Sequence, residues 1–278
     1  MDDSLLSKFI RKNFALKILA DNSYKALDEG AYDSEKYNFS AHSPINLRKR
    51  ILSCPHAALI TEIKLSSPSR GQIVDQSKVN VAEVATTMAR AGSIGISVVT
   101  QPHLFSGSIE KLAAIRKLVN IPLLMKDIIV SETQIDAARR TGSDCILLIK
   151  SIFDNGLAEA SIERFEEYAH RKGLQIIVEV HSDLEFREVL EANKDNKNNL
   201  IGINNRDLNS FNVDINTTKR LLKEYSKGKN IIISESGINN AKQIRFLKDA
   251  GADAFLVGTS IMESSDITSK IEELYLSF

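Results

Sequence analysis

Glu62, Lys64, Lys126, Glu179 and Glu235 each fall at or near the C-terminal end of an apolar run, in "ALITEIK", "PLLMKD", "QIIVEV" and "NIIISES". Glu62 and Lys64 share parity, so on a strand both side chains point to one face. A charge at the end of an otherwise buried strand is costly unless it is paired or used. Charged groups gathered in one place shift one another's pKa, and burial or a like-charged neighbour can move a group toward neutrality, which is what general acid–base catalysis needs. Any single polar strand end can simply meet solvent. The whole set, at the same end of successive runs, argues for a site.

The runs themselves repeat. Stretches 58–64, 95–100, 122–127, 144–150, 175–180, 199–205, 230–236 and 253–259 are apolar, and amphipathic segments such as "NVAEVATTMARAG" and "NAKQIRFLKDAG" lie between them. Several of these segments end at a glycine, Gly92, Gly142, Gly173 or Gly251, as helices often do. Continuous apolar strands alternating with helices imply a parallel sheet covered on both faces. Eight such units predict a (β/α)8 barrel, a fold of roughly 250 residues. A doubly wound open sheet is the alternative, but no G-x-G-x-x-G follows the first strand. We expect one (β/α)8-barrel domain over 1–278, with an N-terminal helical extension in 1–55 and the barrel in 56–278. Within the extension, "SLLSKFIRKNFALKIL" has helical spacing, 21–44 is polar and turn-rich, and "INLRKRIL" is helical again.

In such a barrel the site lies at the C-terminal strand ends. Those ends also carry Asp127, His181, Asn204, Asn205, Arg206, Ser234, Ser236, Gly237, Gly258, Thr259 and Ser260, whereas the second and fourth runs offer only Thr100 and Lys150. "SESGI" and "LVGTS" follow the seventh and eighth runs, where barrels often bind phosphate through backbone N–H groups. Together they predict a phosphorylated small-molecule substrate. Lys150 has no evident part in this and reads as a solvated loop residue.

Bulk properties exclude other classes. Lys plus Arg and Asp plus Glu are both 36, so there is no basic excess for nucleic acid. No apolar run is long enough for a membrane span, and "MDDSLLSKFIRKNF" has no signal-peptide core. Cys54 and Cys145 lack metal-type spacing and read as two buried thiols in a reducing cytoplasm. Five scattered histidines make a metal site unexpected. No cofactor is expected, and the chain should be a monomer or weak homo-oligomer.

"EIKLSSPSRG", "LFSGS", "LLMKD", "VEVH", "GINNRDL", "SESGI" and "FLVGTSIM" resemble the indole-3-glycerol phosphate synthase family of tryptophan biosynthesis, from about residue 57 to the C-terminus. The resemblance implies a carboxy-lyase that closes the indole ring of 1-(2-carboxyphenylamino)-1-deoxyribulose 5-phosphate with loss of CO2 and water. It implies that Lys126 is the general acid, and that Lys64 meets the substrate carboxylate or serves as a second acid. Glu179 would be the base, and Glu62 and Glu235 would hold the lysines charged and in place. Asn204 would orient hydroxyls, and Arg206 would face the carboxylate region or hold the glutamates. Ser67, Ser236, Gly237, Gly258 and Thr259 match the phosphate positions; Phe105, Leu147 and Leu256 match the wall around the ring. The extension would cover the mouth. Ile128 stands where the family usually has an aromatic residue, and Thr259 where serine is common. His181 would play a structural part beside Glu179. An isomerase of a phosphorylated aminosugar would share the phosphate loops but not Glu62, Lys64 and Lys126 together. A non-catalytic barrel would have no use for so much buried charge.

Overall fold

The computed structural model describes residues 3–37, 39, 42–67, 71–75, 79–194, 199–208 and 210–277, with side chains described from Phe14 onward. Residues 68–70 of the first motif lie outside this set. Eight parallel strands close a barrel: β1 (Ala58–Ile63), β2 (Gly95–Val99), β3 (Leu123–Lys126), β4 (Cys145–Ile149), β5 (Gln175–Val180), β6 (Leu200–Asn204), β7 (Ile232–Glu235) and β8 (Ala254–Val257). Each pairs with its neighbour in sequence, and β8 returns to β1 with Thr61 opposite Val257. Every expected run supplies one strand.

Strand parity divides the core in two. Ile60, Leu124, Leu147, Ile177, Ile233 and Leu256 point inward and fill the barrel. Leu59, Val98, Met125, Leu148, Val178 and Phe255 point outward, against the helices. Both faces of the sheet are therefore dry, which is why the strands read as unbroken apolar runs. The helices are α1 (Asp3–Asp28), α2 (Leu47–Ser53), α3 (Val81–Arg90), α4 (Pro102–Phe105), α5 (Ile109–Arg116), α6 (Glu132–Arg140), α7 (Lys150–Asp154), α8 (Ile162–Arg171), α9 (Asp183–Ala192), α10 (Asn216–Glu224), α11 (Ala241–Asp249), α12 (Thr259–Met262) and α13 (Ile267–Tyr275). Gly92, Gly142, Gly173 and Gly251 all have positive φ, as helix-ending glycines should. Among the described residues no helix is long and apolar enough to cross a membrane.

Three local expectations change. The stretch from Asp21 has the composition of a polar loop, yet α1 continues to Asp28. Leu16, Ala20, Ser23 and Ala26 are buried at helical spacing, and Lys17 pairs with Asp21 at 2.7 Å one turn on. The small buried residues Ala20, Ser23 and Ala26 conceal this stripe from a reading based on large apolar side chains. Lys150 is not a solvated loop residue; it begins α7, pairs with Asp154, and meets Glu188 of α9 at 2.9 Å. Cys145 is buried, but Cys54 is only half-buried; both are free.

At the opposite end from the site, just before β4, Asp144 joins the extension to the barrel. Its carboxylate accepts from Arg116 Nη1 at 2.9 Å, from the Leu123 N–H at 2.7 Å and from the Ile45 N–H at 2.6 Å, and His42 Nε2 lies 2.8 Å away. The Arg116 side chain is 4% exposed and that of Asp144 0%. Removing one partner strands the other charge in the core, which typically costs about 3–5 kcal/mol. Asp144→Ala should lose stability of that order in urea unfolding, while the residual folded protein binds substrate normally.

Candidate active site

All the residues singled out above as catalytic or substrate-binding line one cavity of about 870 Å³ at the C-terminal mouth of the barrel. Parity and register bring the charged ones together. Lys126, Glu179, Asn204 and Glu235 occupy inward positions near the ends of β3, β5, β6 and β7, and Asn204 lies opposite Glu235 in the ladder. Lys126 Nζ donates to Glu179 Oε2 at 2.9 Å and to Glu235 Oε2 at 2.8 Å. Lys64, one residue past β1, reaches back to Glu62 Oε1 at 2.7 Å. Asn204 Nδ2 donates to Glu179 Oε1 at 3.2 Å. His181 Nε2 stands 3.0 Å from that same oxygen, and the His181 backbone N–H donates to Glu185 at 2.8 Å. His181 therefore supports Glu179 from behind.

The electrostatics follow from this packing. Burial acts to lower the Lys126 pKa, but Glu179, Glu235 and Glu62 outweigh it, so the amine is held as an ammonium well above its ordinary range. Burial acts to raise Glu179, but Lys126 and His181 outweigh it and keep this carboxylate ionised. Burial, with Glu179 and Glu62 nearby, pushes Glu235 up to about 7 even beside Lys126. Burial would also raise Glu62, but Lys64 and Lys126 bring it below its usual value. One cation thus serves two carboxylates of unequal proton affinity.

Glycine makes room for this cluster. A Cβ on Gly202 would lie 2.3 Å from Glu235 Oε1, and one on Gly258 would lie 2.8 Å from Glu62 Oε1. After β7 the chain turns sharply, with φ of 68° at Ser236 and 83° at Gly237. Phe105, Leu147, Ile128 and Leu256 form an apolar wall. Arg206 Nη1 donates to the Phe211 carbonyl at 3.0 Å, and Arg206 bridges Val213, so this arginine closes its own loop beside the cavity.

Sequence reasoning did not single out two parts of the lining. Phe14, Ala15, Ile18 and Leu19 of α1 face the mouth, as do Leu208, Phe211, Val213 and Ile215 after β6. Helical spacing identified α1, but spacing alone does not say which residues meet the barrel. Phe211 has a φ of 57°, a conformation that an apolar residue type gives no reason to expect. Among the described residues no three His, Cys, Asp or Glu side chains are grouped to hold a metal ion.

A (β/α)8 barrel with a lysine clasped by glutamates at its mouth and glycine-bearing turns after β7 and β8 defines an acid–base barrel enzyme. The family model for indole-3-glycerol phosphate synthase matches residues 21–274. Relatives of that description include proteins from Oceanobacillus iheyensis (38% identical, covering 94% of this chain and 96% of the relative) and Aquifex aeolicus (38%, covering 82% and 85%). One from Methanocaldococcus jannaschii is also 38% identical, over 78% and 77%. The chain belongs to the indole-3-glycerol phosphate synthase family. Two solved structures share the fold at low identity. They are an N-acetylmannosamine-6-phosphate 2-epimerase from Clostridium perfringens (15% identity, TM-score 0.55, covering 76% of this chain and 90% of that one) and a thiamine phosphate pyrophosphorylase from Pyrococcus furiosus (17%, 0.57, 82% and 96%).

The glycine at 202 offers a test of the cluster that leaves every charge in place. Gly202→Ala should displace the Glu235 carboxylate and with it Lys126. Misplacement of a reacting group by an ångström can cost about 100-fold. We expect kcat to fall by that order, read in a steady-state assay, with a much smaller fall in Tm.

Proposed function

We propose that this chain closes the indole ring of 1-(2-carboxyphenylamino)-1-deoxyribulose 5-phosphate, yielding indole-3-glycerol phosphate, CO2 and water. The observation that carries the reading is the Lys126 ammonium, 2.9 Å from Glu179 and 2.8 Å from Glu235 on the floor of a cavity with an apolar wall. The ring carbon bearing the carboxylate attacks the ketone carbon. The C=O electron pair becomes an alkoxide and takes a proton from Lys126, which the glutamates have kept charged for that moment. The carboxylate leaves as CO2, and its electrons return to the ring. The new hydroxyl then departs as water while a proton leaves the adjacent CH2, and Glu179 is the base that accepts it.

Lys64, next to Glu62, is placed to meet the substrate carboxylate or to protonate the departing hydroxyl. Asn204 holds Glu179 Oε1 and orients the sugar hydroxyls. Phe105, Leu147 and Leu256, with Ile128, enclose the ring. Ser67, Ser236, Gly237, Gly258 and Thr259 hold the phosphate. In α12, which starts at Thr259, the Ile261 and Met262 N–H groups donate back to the Gly258 carbonyl, and the Thr259 and Ser260 N–H groups precede them at the cavity.

Lys126→Met keeps the stem and removes the donor. General acids typically contribute about 10²- to 10⁴-fold, and kcat should fall by that order with KM largely kept. Glu179→Gln should slow dehydration more than ring closure, so a decarboxylated intermediate that keeps its hydroxyl should accumulate. Single-turnover product analysis reads both variants, and near-normal kcat in Lys126→Met transfers the acid role to Lys64. Inorganic phosphate should compete with substrate. Complete indifference to it would displace the phosphate site.

A further inference from the structure

The chain leaves β3 through a carboxylate for which the reaction as written has no task. Asp127 follows Lys126 and is 3% exposed. Its Oδ2 accepts from the Tyr32 hydroxyl at 2.9 Å and from the Thr100 hydroxyl, and its Oδ1 accepts from the Ile128 N–H at 2.8 Å. These partners are all neutral donors. A buried carboxylate served only by neutral donors is costly, and here it ties three segments together. Thr100 follows the neighbouring strand β2; its N–H donates to the Lys126 carbonyl at 3.1 Å while its hydroxyl holds Asp127. The Ile128 carbonyl accepts from Gln134 Nε2 at 3.0 Å, so the residue after Asp127 is gripped at both ends. Tyr32 comes from the extension, just after α1, with its ring buried in the outer core.

We propose that Asp127 is a positioning residue for Lys126, and that the Tyr32 hydroxyl makes this positioning depend on the N-terminal extension. The proposal rests on the reading of Lys126 as the acid. The carboxylate fixes the bend at which the chain leaves the sheet, and so the root of the side chain whose Nζ must meet Glu179, Glu235 and the ketone. The same bend places Ile128 in the wall. The extension thus acts on the acid through its hydrogen bond, besides lining the mouth through Phe14 and Ile18.

Steady-state kinetics and thermal unfolding of Tyr32→Phe, Asp127→Asn and the double variant test this, with Lys126→Met as reference. Tyr32→Phe keeps the buried ring and removes one donor. Asp127→Asn keeps the shape but sets an amide donor against one of the three donors it must serve. We expect kcat to fall about tenfold in Tyr32→Phe and about 10- to 100-fold in Asp127→Asn, with KM within about twofold of the parent. The double variant should be no slower than Asp127→Asn alone, because both changes act through one carboxylate. A raised KM with unchanged kcat in Tyr32→Phe would make the phenol a clamp on α1 only and overturn the proposal. Losses that multiply in the double variant, or that track a falling Tm, would overturn it too. If Asp127→Asn does not fold, Tyr32→Phe carries the test alone. Retained kcat in Lys126→Met means the acid assignment has failed; loss there with parental kcat in Asp127→Asn means that only the positioning role has failed.

Discussion

Lys126 Nζ stands within 3 Å of two buried glutamates, at 2.9 and 2.8 Å, and much of the molecule is arranged to keep that ammonium there. Without the amine, two carboxylates with almost no exposed surface would repel each other in a low-dielectric floor. Without the carboxylates, burial would push the pKa of the amine down. The three groups come from β3, β5 and β7, so the cluster exists only in a closed barrel whose parity and register put those inward positions at one end. Folding and chemistry therefore depend on the same geometry.

The neighbouring features follow from that constraint. Gly202 and Gly258 lack side chains where Glu235 and Glu62 need room. His181 and Asn204 crowd one oxygen of Glu179, leaving the other to Lys126. The apolar wall lowers the local dielectric and so strengthens every charge interaction on the floor. The opposite end of the barrel carries a different kind of polar cluster. The Arg116–Asp144 pair there is met by the backbone N–H groups of Leu123 and Ile45 and pins the extension.

Most of this was legible from the chain. The strands could be read because both faces of the sheet are buried, which turns each strand into an apolar run, and because helices end at glycines with positive φ. The charged cluster could be read because lysine and glutamate at the end of such a run have no cheap structural explanation. What escaped depends on tertiary placement. Ala20, Ser23 and Ala26 are too small to mark a buried stripe, so the sequence pattern stops α1 more than two turns early. Lys150 reaches Glu188 only when α7 and α9 come together. The loop after β6 contributes Leu208, Phe211 and Val213 through its own hairpin-like closure, which residue type does not announce. The Tyr32–Asp127 bond joins residues 95 positions apart, and no local pattern encodes it.

Lys126 stays charged because two glutamates of unequal proton affinity share it. Proton occupancy across the cluster can be followed by NMR of the unliganded protein labelled with 15N at lysine Nζ and 13C at glutamate carboxyls. Lys126 should remain an ammonium up to at least about pH 10, near where ordinary lysines release their protons. The last carboxyl proton of the Glu179–Glu235 pair should leave near pH 7, from the Glu235 side. A Lys126 amine that titrates near neutrality, or a glutamate pair that is fully ionised at the ordinary carboxylate value of about 4.3, would contradict the account.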